Sequence, residues 1–167
     1  MLDENAAMAE EERDNTEPRT FLTCATEVAR LLGLGDAADV PEAARARRLA
    51  HAVRGPLLER PFLSEEFFAP VMAAAVHDPD PSFCRWFVEP AVYAFGRRRV
   101  MASLLDYLRT GTAAEQAGAE RAWYCAHVPL DADRSPAYAP GGRRDPVMDE
   151  YHDVMAEWHE TLRRSAT

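Results

Sequence analysis

From about residue 20 onward, apolar positions recur at three- and four-residue spacing, in stretches separated by glycine and proline. That period puts the apolar residues on one face of an α-helix. Phe21, Cys24, Ala25, Val28, Leu31 and Leu32 mark a first helix from about Thr20 to Leu32, ended by Gly33 and Gly35. A second is expected from about Pro41 to Val53, with Pro41 in its first turn and Gly55-Pro56 as its stop. The third, from about Glu65 to Val76, carries Phe68, Val71, Met72, Ala75 and Val76 behind a Ser64 cap, and His77-Asp78-Pro79 breaks it. The fourth opens on Asp80 as cap with Pro81 at the first helical position and carries Phe83, Trp86, Phe87 and Val88. Pro90 is expected to kink or restart it, and Gly96 to end it.

The fifth helix, Arg97 to Leu108, has Val100, Met101, Leu104, Leu105 and Leu108 on its apolar face and stops at Gly111. The sixth opens on Thr112 and Glu115 at T-x-x-E spacing, where the two side chains satisfy orphan N–H groups reciprocally. Ala119, Ala122, Trp123 and Ala126 lie along one face beside Gly118, small enough to admit a neighbouring helix closely. Residues 129–145 hold Pro129, Pro136, Pro140 and Gly141-Gly142, a long loop of the kind that is usually functional or disordered. The last helix is expected to start with Asp145 as cap and Pro146 at the first position, burying Val147, Tyr151, Val154, Met155, Trp158 and Leu162. No segment alternates with the period of a strand. The expected fold class is all-α, about seven helices stacked as antiparallel pairs.

Charge divides the chain in two. Asp3, Glu4, Glu10, Glu11, Glu12, Asp14 and Glu17 against Arg13 and Arg19 give residues 1–20 a charge of −5, and the other 21 acids and 17 arginines leave −4 for the rest. The tail, residues 1–19, has too few large apolar side chains to offset its ordering entropy and is expected to be disordered ahead of a single domain at 20–167. Neither part has the basic excess of a sequence-independent nucleic-acid binder. Every basic residue is arginine, and with abundant alanine this raises helix propensity. The three cysteines, Cys24, Cys84 and Cys125, form no CxxC pair and read as buried reduced thiols of a cytoplasmic protein. No stretch approaches the length of a membrane span.

The segments 71–83 (VMAAAVHDPDPSF) and 104–116 (LLDYLRTGTAAEQ) are alike: each is an apolar helix end, a polar turn and a capped second helix. Their offset of about 33 residues lies in the range of helical repeat arrays, and 31–53 reads as a degenerate earlier copy. Through Leu104, Leu105, Leu108, the Gly111 turn and EQAGAERAWYCA (115–126), the chain resembles HEAT-like, armadillo-type repeat proteins over about half its length. The resemblance implies a curved α-α superhelix of stacked helix pairs with a concave binding face, and no catalytic residues. The acidic turn residue and following basic residue of a HEAT unit are not cleanly present, and Pro90 falls in a second helix rather than a first.

Candidate chemistry is sparse. Asp149, His152 and His159 could place a carboxylate and two imidazoles on the last helix, a D-x-x-H spacing that metal sites in bundles use. A complete di-metal site needs a second such motif and none is present, so no metal or other cofactor is expected. His51 and His127 read as helix-end residues and His77 as part of a helix-ending turn. Two basic runs stand out, Arg45, Arg47 and Arg48 on the second helix and Arg97, Arg98 and Arg99 at the start of the fifth. The first reads as a solvated helix face. The second opposes its own helix dipole, so acidic neighbours or a ligand should compensate it. With Arg143 and Arg144 in the Pro/Gly-rich loop, Arg97–Arg99 are the expected grip on an acidic protein partner.

The resulting expectation is a non-enzymatic protein-binding or scaffold module, with homo-oligomerisation left open. The alternatives are a metal-dependent enzyme using the last helix and a nucleic-acid-binding HEAT-like protein. If the acidic tail contributes nothing to the body, deleting residues 1–18 should leave the thermal unfolding midpoint nearly unchanged. A large drop in that midpoint would show that the tail docks.

Overall fold

A computed structural model describes residues 18–138 and 146–167. The expectations for residues 1–17, and for Asp145, Arg143 and Arg144 within 139–145, lie outside the described residues. The described chain is helical throughout: α1 Phe21–Leu31, α2 Glu42–Glu59, α3 Phe68–His77, α4 Arg85–Phe95, α5 Arg97–Thr110, α6 Ala113–Cys125 and α7 His152–Ser165. Three short 3-10 turns, Glu65–Phe67, Pro136–Tyr138 and Pro146–Asp149, punctuate it. Among the described residues there is no strand, and no helix is long and apolar enough to cross a membrane.

Most boundaries follow local chemistry. The Thr112–Glu115 capping box is present in full. Four boundaries depart from the sequence expectation. The fourth helix starts not at Pro81 but at Arg85, behind a turn in which Asp80 accepts from the Ser82 N–H, and it runs through Pro90 without restarting. The second helix does not stop at Val53 but runs through Gly55 and Pro56 to Glu59. Pro56 removes one helical hydrogen bond, and burial of Leu57 and Leu58 just beyond it offsets that loss. As a consequence His51 sits in mid-helix, not at an end. Ser64 does not cap α3; its hydroxyl donates to Glu66 Oε1, and a 3-10 turn precedes the helix. The last helix breaks at Glu150-Tyr151, so Pro146–Asp149 form a separate 3-10 turn, and Val147 is exposed instead of buried.

The helices lie in two layers of three. α1, α3 and α6 are neighbours in one layer; α2, α4 and α5 are neighbours in the other. Across the layers α1 meets α2, α3 meets α4, and α6 meets α5; α7 lies against α5. A repeat translated along the stack would set α5 beside α3. Here the third pair is reversed, with α6 beside α3 and α5 beside α4. The cause is the link between α4 and α5, which is the single residue Gly96. Its φ of +93° is one that L side chains rarely adopt, and a Cβ there would meet Met148 O at 2.8 Å. With one residue between them, α5 must turn back along α4.

The middle helix of the first layer, α3, is buried on every side: Val71, Met72, Ala73, Ala74, Ala75 and Val76 are all in the core. Its alanines and Gly118 let α6 come within backbone contact. At its C-terminal end the fully buried Asp78 carboxylate accepts two hydrogen bonds from Arg47 of α2, at 2.9 and 2.6 Å, and one from the Asp80 N–H at 3.0 Å. The Asp78 carbonyl accepts from Arg121 of α6. One residue in the α3–α4 turn thereby ties together both layers. The Arg47 guanidinium also lies 4.4 Å over Phe83 and 5.1 Å over Phe21, so the expectation of a solvated helix face fails for this arginine.

A Cβ on Gly118 would fall 1.9 Å from the Val76 carbonyl oxygen, which is backbone and cannot swing aside. Gly118→Ala should therefore destabilise by about 3 kcal/mol or more, at the upper end of overpacking costs. Gly35→Ala, where nothing lies within 4 Å of the new carbon, is the control and should change stability by no more than about 1 kcal/mol. Urea unfolding of the two variants checks this; equal midpoints would mean that α3 and α6 are not in backbone contact.

Candidate functional site

The arginines at the start of α5 meet partners inside the chain. The Arg97 guanidinium donates to the Ala126 carbonyl at 3.0 Å and the Val128 carbonyl at 2.6 Å, placing a cation at the carbonyl end of α6. Its backbone N–H donates to Asp149 Oδ1 at 3.1 Å. Arg98 makes two 2.6 Å hydrogen bonds to the Asp153 carboxylate and a third to the Glu150 carbonyl. Arg99 pairs bidentately with Glu65 and lies 3.9 Å over the Phe68 ring. Of the two compensations expected for this run, acidic neighbours are the one found. Asp149, Asp153 and Glu65 neutralise the helix start, and gripping a partner there would first require breaking these pairs.

The carboxylate-histidine constellation does not share one helix. Asp149 belongs to the 3-10 turn before α7, and its carboxylate caps α5. His152 opens α7 with its ring stacked on Tyr151, and His159 is exposed a further two turns along. The break at Glu150-Tyr151 removes the i, i+3 relation that the spacing suggested. No cluster of three metal-ligating side chains occurs among the described residues.

The first half of the long loop is a strap rather than a free arm. Ser135 is buried and its hydroxyl donates to the Leu58 carbonyl at 2.7 Å. The Tyr93 hydroxyl accepts from the Asp131 N–H at 2.9 Å. Arg134 reaches the buried Glu89 of α4 at 2.8 Å, and Arg85 approaches the same carboxylate at 3.3 Å. Burial pushes the Glu89 carboxyl up, but the two guanidinium groups outweigh it and hold it below the ordinary carboxylate value. Of the two buried acids among the described residues, Asp78 carries no sequence signal, because Arg47 lies 31 residues away, and Glu89 shows only its i, i+4 relation to Arg85, with Arg134 45 residues away.

A cationic surface without acids of its own lies on the outer side of α2. This helix ends its layer, with α1 and α4 as its helical neighbours. Between Glu42 and Glu59 it contains no acid but carries Arg45, Arg47, Arg48, His51 and Arg54. Arg45 reaches the Val40 carbonyl, and Arg47 is committed to Asp78. Arg48 is exposed, and neither it nor Arg54 has an acidic partner among the described residues. Arg54 lies 5.3 Å over the half-buried Trp86 ring, which also meets the His51 ring edge-on at 5.7 Å. Arg54, His51 and the committed Arg47 surround the indole face, and the exposed Arg48 stands on the same helix beside them. This arrangement can bind carboxylates through the guanidinium groups and apolar matter through Trp86.

No family model matches the chain, and no curated protein or solved structure matches it.

The Arg98 guanidinium holds the Asp153 carboxyl at about 2, below its ordinary 3.8. A depressed carboxyl contributes stability above its unfolded value and loses it as the pH falls through the folded one. The Arg98–Asp153 contribution should be complete above about pH 5 and gone by about pH 1. Asp153→Asn should therefore fall less steeply in stability than the native chain across that window, and the two should converge at its acid end. Denaturant midpoints at a series of pH values check this; parallel curves would mean that the pair does not persist in solution.

Proposed function

We propose that the protein is a non-enzymatic interaction module of HEAT-like type that holds an acidic segment of another protein against the outer side of α2. The observation that carries this reading is Arg54 and His51 set against Trp86, with Arg48 exposed on the same helix, which ends its layer. In a chain of net charge −9, arginines set in ion pairs elsewhere serve the fold, as Arg47, Arg98, Arg99 and Arg134 do. Arg48 and Arg54 are not needed for that purpose. A carboxylate on each would gain charge-assisted hydrogen bonds, and the indole would bury an apolar side chain between them. Two layers of helix pairs offer a rigid platform for such a face, as stacked repeats do. The partner is read as acidic protein rather than nucleic acid, because the chain lacks the basic excess that contacts to many successive phosphates need, while Trp86 suits an apolar side chain.

The test uses a synthetic acidic peptide with interspersed leucines, titrated at two salt concentrations while Trp86 fluorescence is followed in variants where Trp123 and Trp158 are replaced by Phe. Saturable binding that weakens with salt, and a loss of at least about tenfold in Arg48→Ala/Arg54→Ala, is the expected result. Arg99→Ala should leave the affinity unchanged. No binding, an unaffected double variant, or tighter binding of duplex DNA than of the peptide would overturn the proposal.

A further inference from the structure

Two cysteines that are 41 residues apart in sequence meet where the α3–α4 turn touches the end of α6. Cys84 Sγ and Cys125 Sγ are 3.5 Å apart. Cys84 is fully buried, with its Sγ also 3.5 Å from the Pro81 carbonyl. Cys125 is half-buried and forms part of the wall of a shallow surface groove of about 500 Å³, lined by Pro81, Ala117, Glu120, Arg121, Tyr124 and Cys125. One sulfur is therefore open to small solutes, and the other stands behind it in van der Waals contact. The third cysteine, Cys24, is buried on α1 and belongs to neither sulfur's surroundings.

We propose that Cys84 and Cys125 form a peroxide-reactive dithiol, in which Cys125 is the attacked sulfur and Cys84 the one that resolves it into a disulfide. This inference does not rest on the α2 face. The oxidant is a hydroperoxide. The Cys125 thiolate attacks the terminal oxygen, the O–O bond breaks, and the alkoxide leaves with a proton as alcohol or water, giving a sulfenic acid. Cys84 sulfur then attacks the Cys125 sulfur, its proton leaves with the sulfenic oxygen as water, and the S–S bond closes. The sum is two thiols and one hydroperoxide to one disulfide, one alcohol and one water. A dithiol reductant reverses it.

The surroundings favour these roles. The contact with Cys84 holds the Cys125 thiol down at about 7, with burial opposing and the Arg85 cation assisting against Glu89. The same contact and its own burial raise Cys84, with Asp78 assisting and Arg121 opposing. A thiol near neutrality is partly thiolate and still a good nucleophile. Closing the bond requires the sulfurs to approach to about 2.05 Å. Both lie where the backbone can give: Cys125 is the last residue of α6, and Cys84 immediately precedes α4.

The full chain is treated with hydrogen peroxide, quenched by alkylation, and its peptides are mapped without reduction. The expected product is a Cys84–Cys125 cross-link that returns to free thiols with dithiothreitol, with Cys125 consumed at least about tenfold faster than Cys24. In Cys84→Ser the sulfenic acid should persist on Cys125 and be trapped by dimedone. In Cys125→Ser neither cross-link nor adduct should form. The oxidised native chain should unfold about 5–15 °C higher, as a loop of this length predicts. Cys84→Ala serves if the serine variant does not fold, and mapping the native chain needs no variant. Oxidation of Cys125 no faster than Cys24, or over-oxidation of Cys125 without a cross-link, would overturn the proposal.

Discussion

Everything in this fold has to accommodate a helix that can face no water. From Val71 to Val76, α3 presents only apolar side chains, and all are buried. Leaving such a helix at an edge would expose one full side of it, at roughly 25 cal/mol for each square ångström of apolar surface. The chain therefore surrounds it with α1, α4 and α6. Alanine at 73, 74 and 75 keeps it thin, and Gly118 lets α6 touch its backbone at Val76. The polar groups at the end of α3 still need partners in this dry setting, and Asp78 supplies them by drawing in Arg47 and Arg121. An unpaired carboxylate at that depth would be far costlier than the pair.

What the sequence made legible is what short-range chemistry decides. Helical periodicity, the Thr112–Glu115 box and the small face of α6 were readable because every interaction involved lies within a few residues. The end of α2 was not, because Gly-Pro is a local stop and the burial of Leu57 and Leu58 that overrides it is tertiary. The partners of the arginine run were hidden for a similar reason. Its dipole conflict was visible, but the acids that resolve it lie 34 to 55 residues away. The same distance hid the pairing of Cys84 with Cys125 and the commitment of Arg47 to Asp78, although the basic run on α2 was itself visible.

The exclusive use of arginine acquires a structural meaning here. A guanidinium presents a planar fork to a carboxylate, and its faces can lie on aromatic rings at the same time. Arg47 does both, with Asp78 at its edge and Phe83 on its face, and Arg99 does both with Glu65 and Phe68. A lysine ammonium could reproduce the charge but neither the bidentate geometry nor the stacking. Ion pairs of this kind help fasten the strap, through Arg134, and the 3-10 turn at Glu65, through Arg99, where Phe67 is also buried in the core.

The capping of α5 by Asp149 bears on how the molecule is assembled in time. The acceptor for the first N–H of α5 is contributed by a residue 52 positions later. During synthesis the chain emerges from its N-terminus, and six helices can form before that residue exists. Over that interval the start of α5 bears Arg97 and Arg98 with the Asp149 and Asp153 carboxylates still to come. The nascent two-layer body is thus more cationic at one corner than the finished one. The stretch from Asp149 to Asp153 acts as a latch, whose arrival converts a charged, open corner into a neutral, paired one.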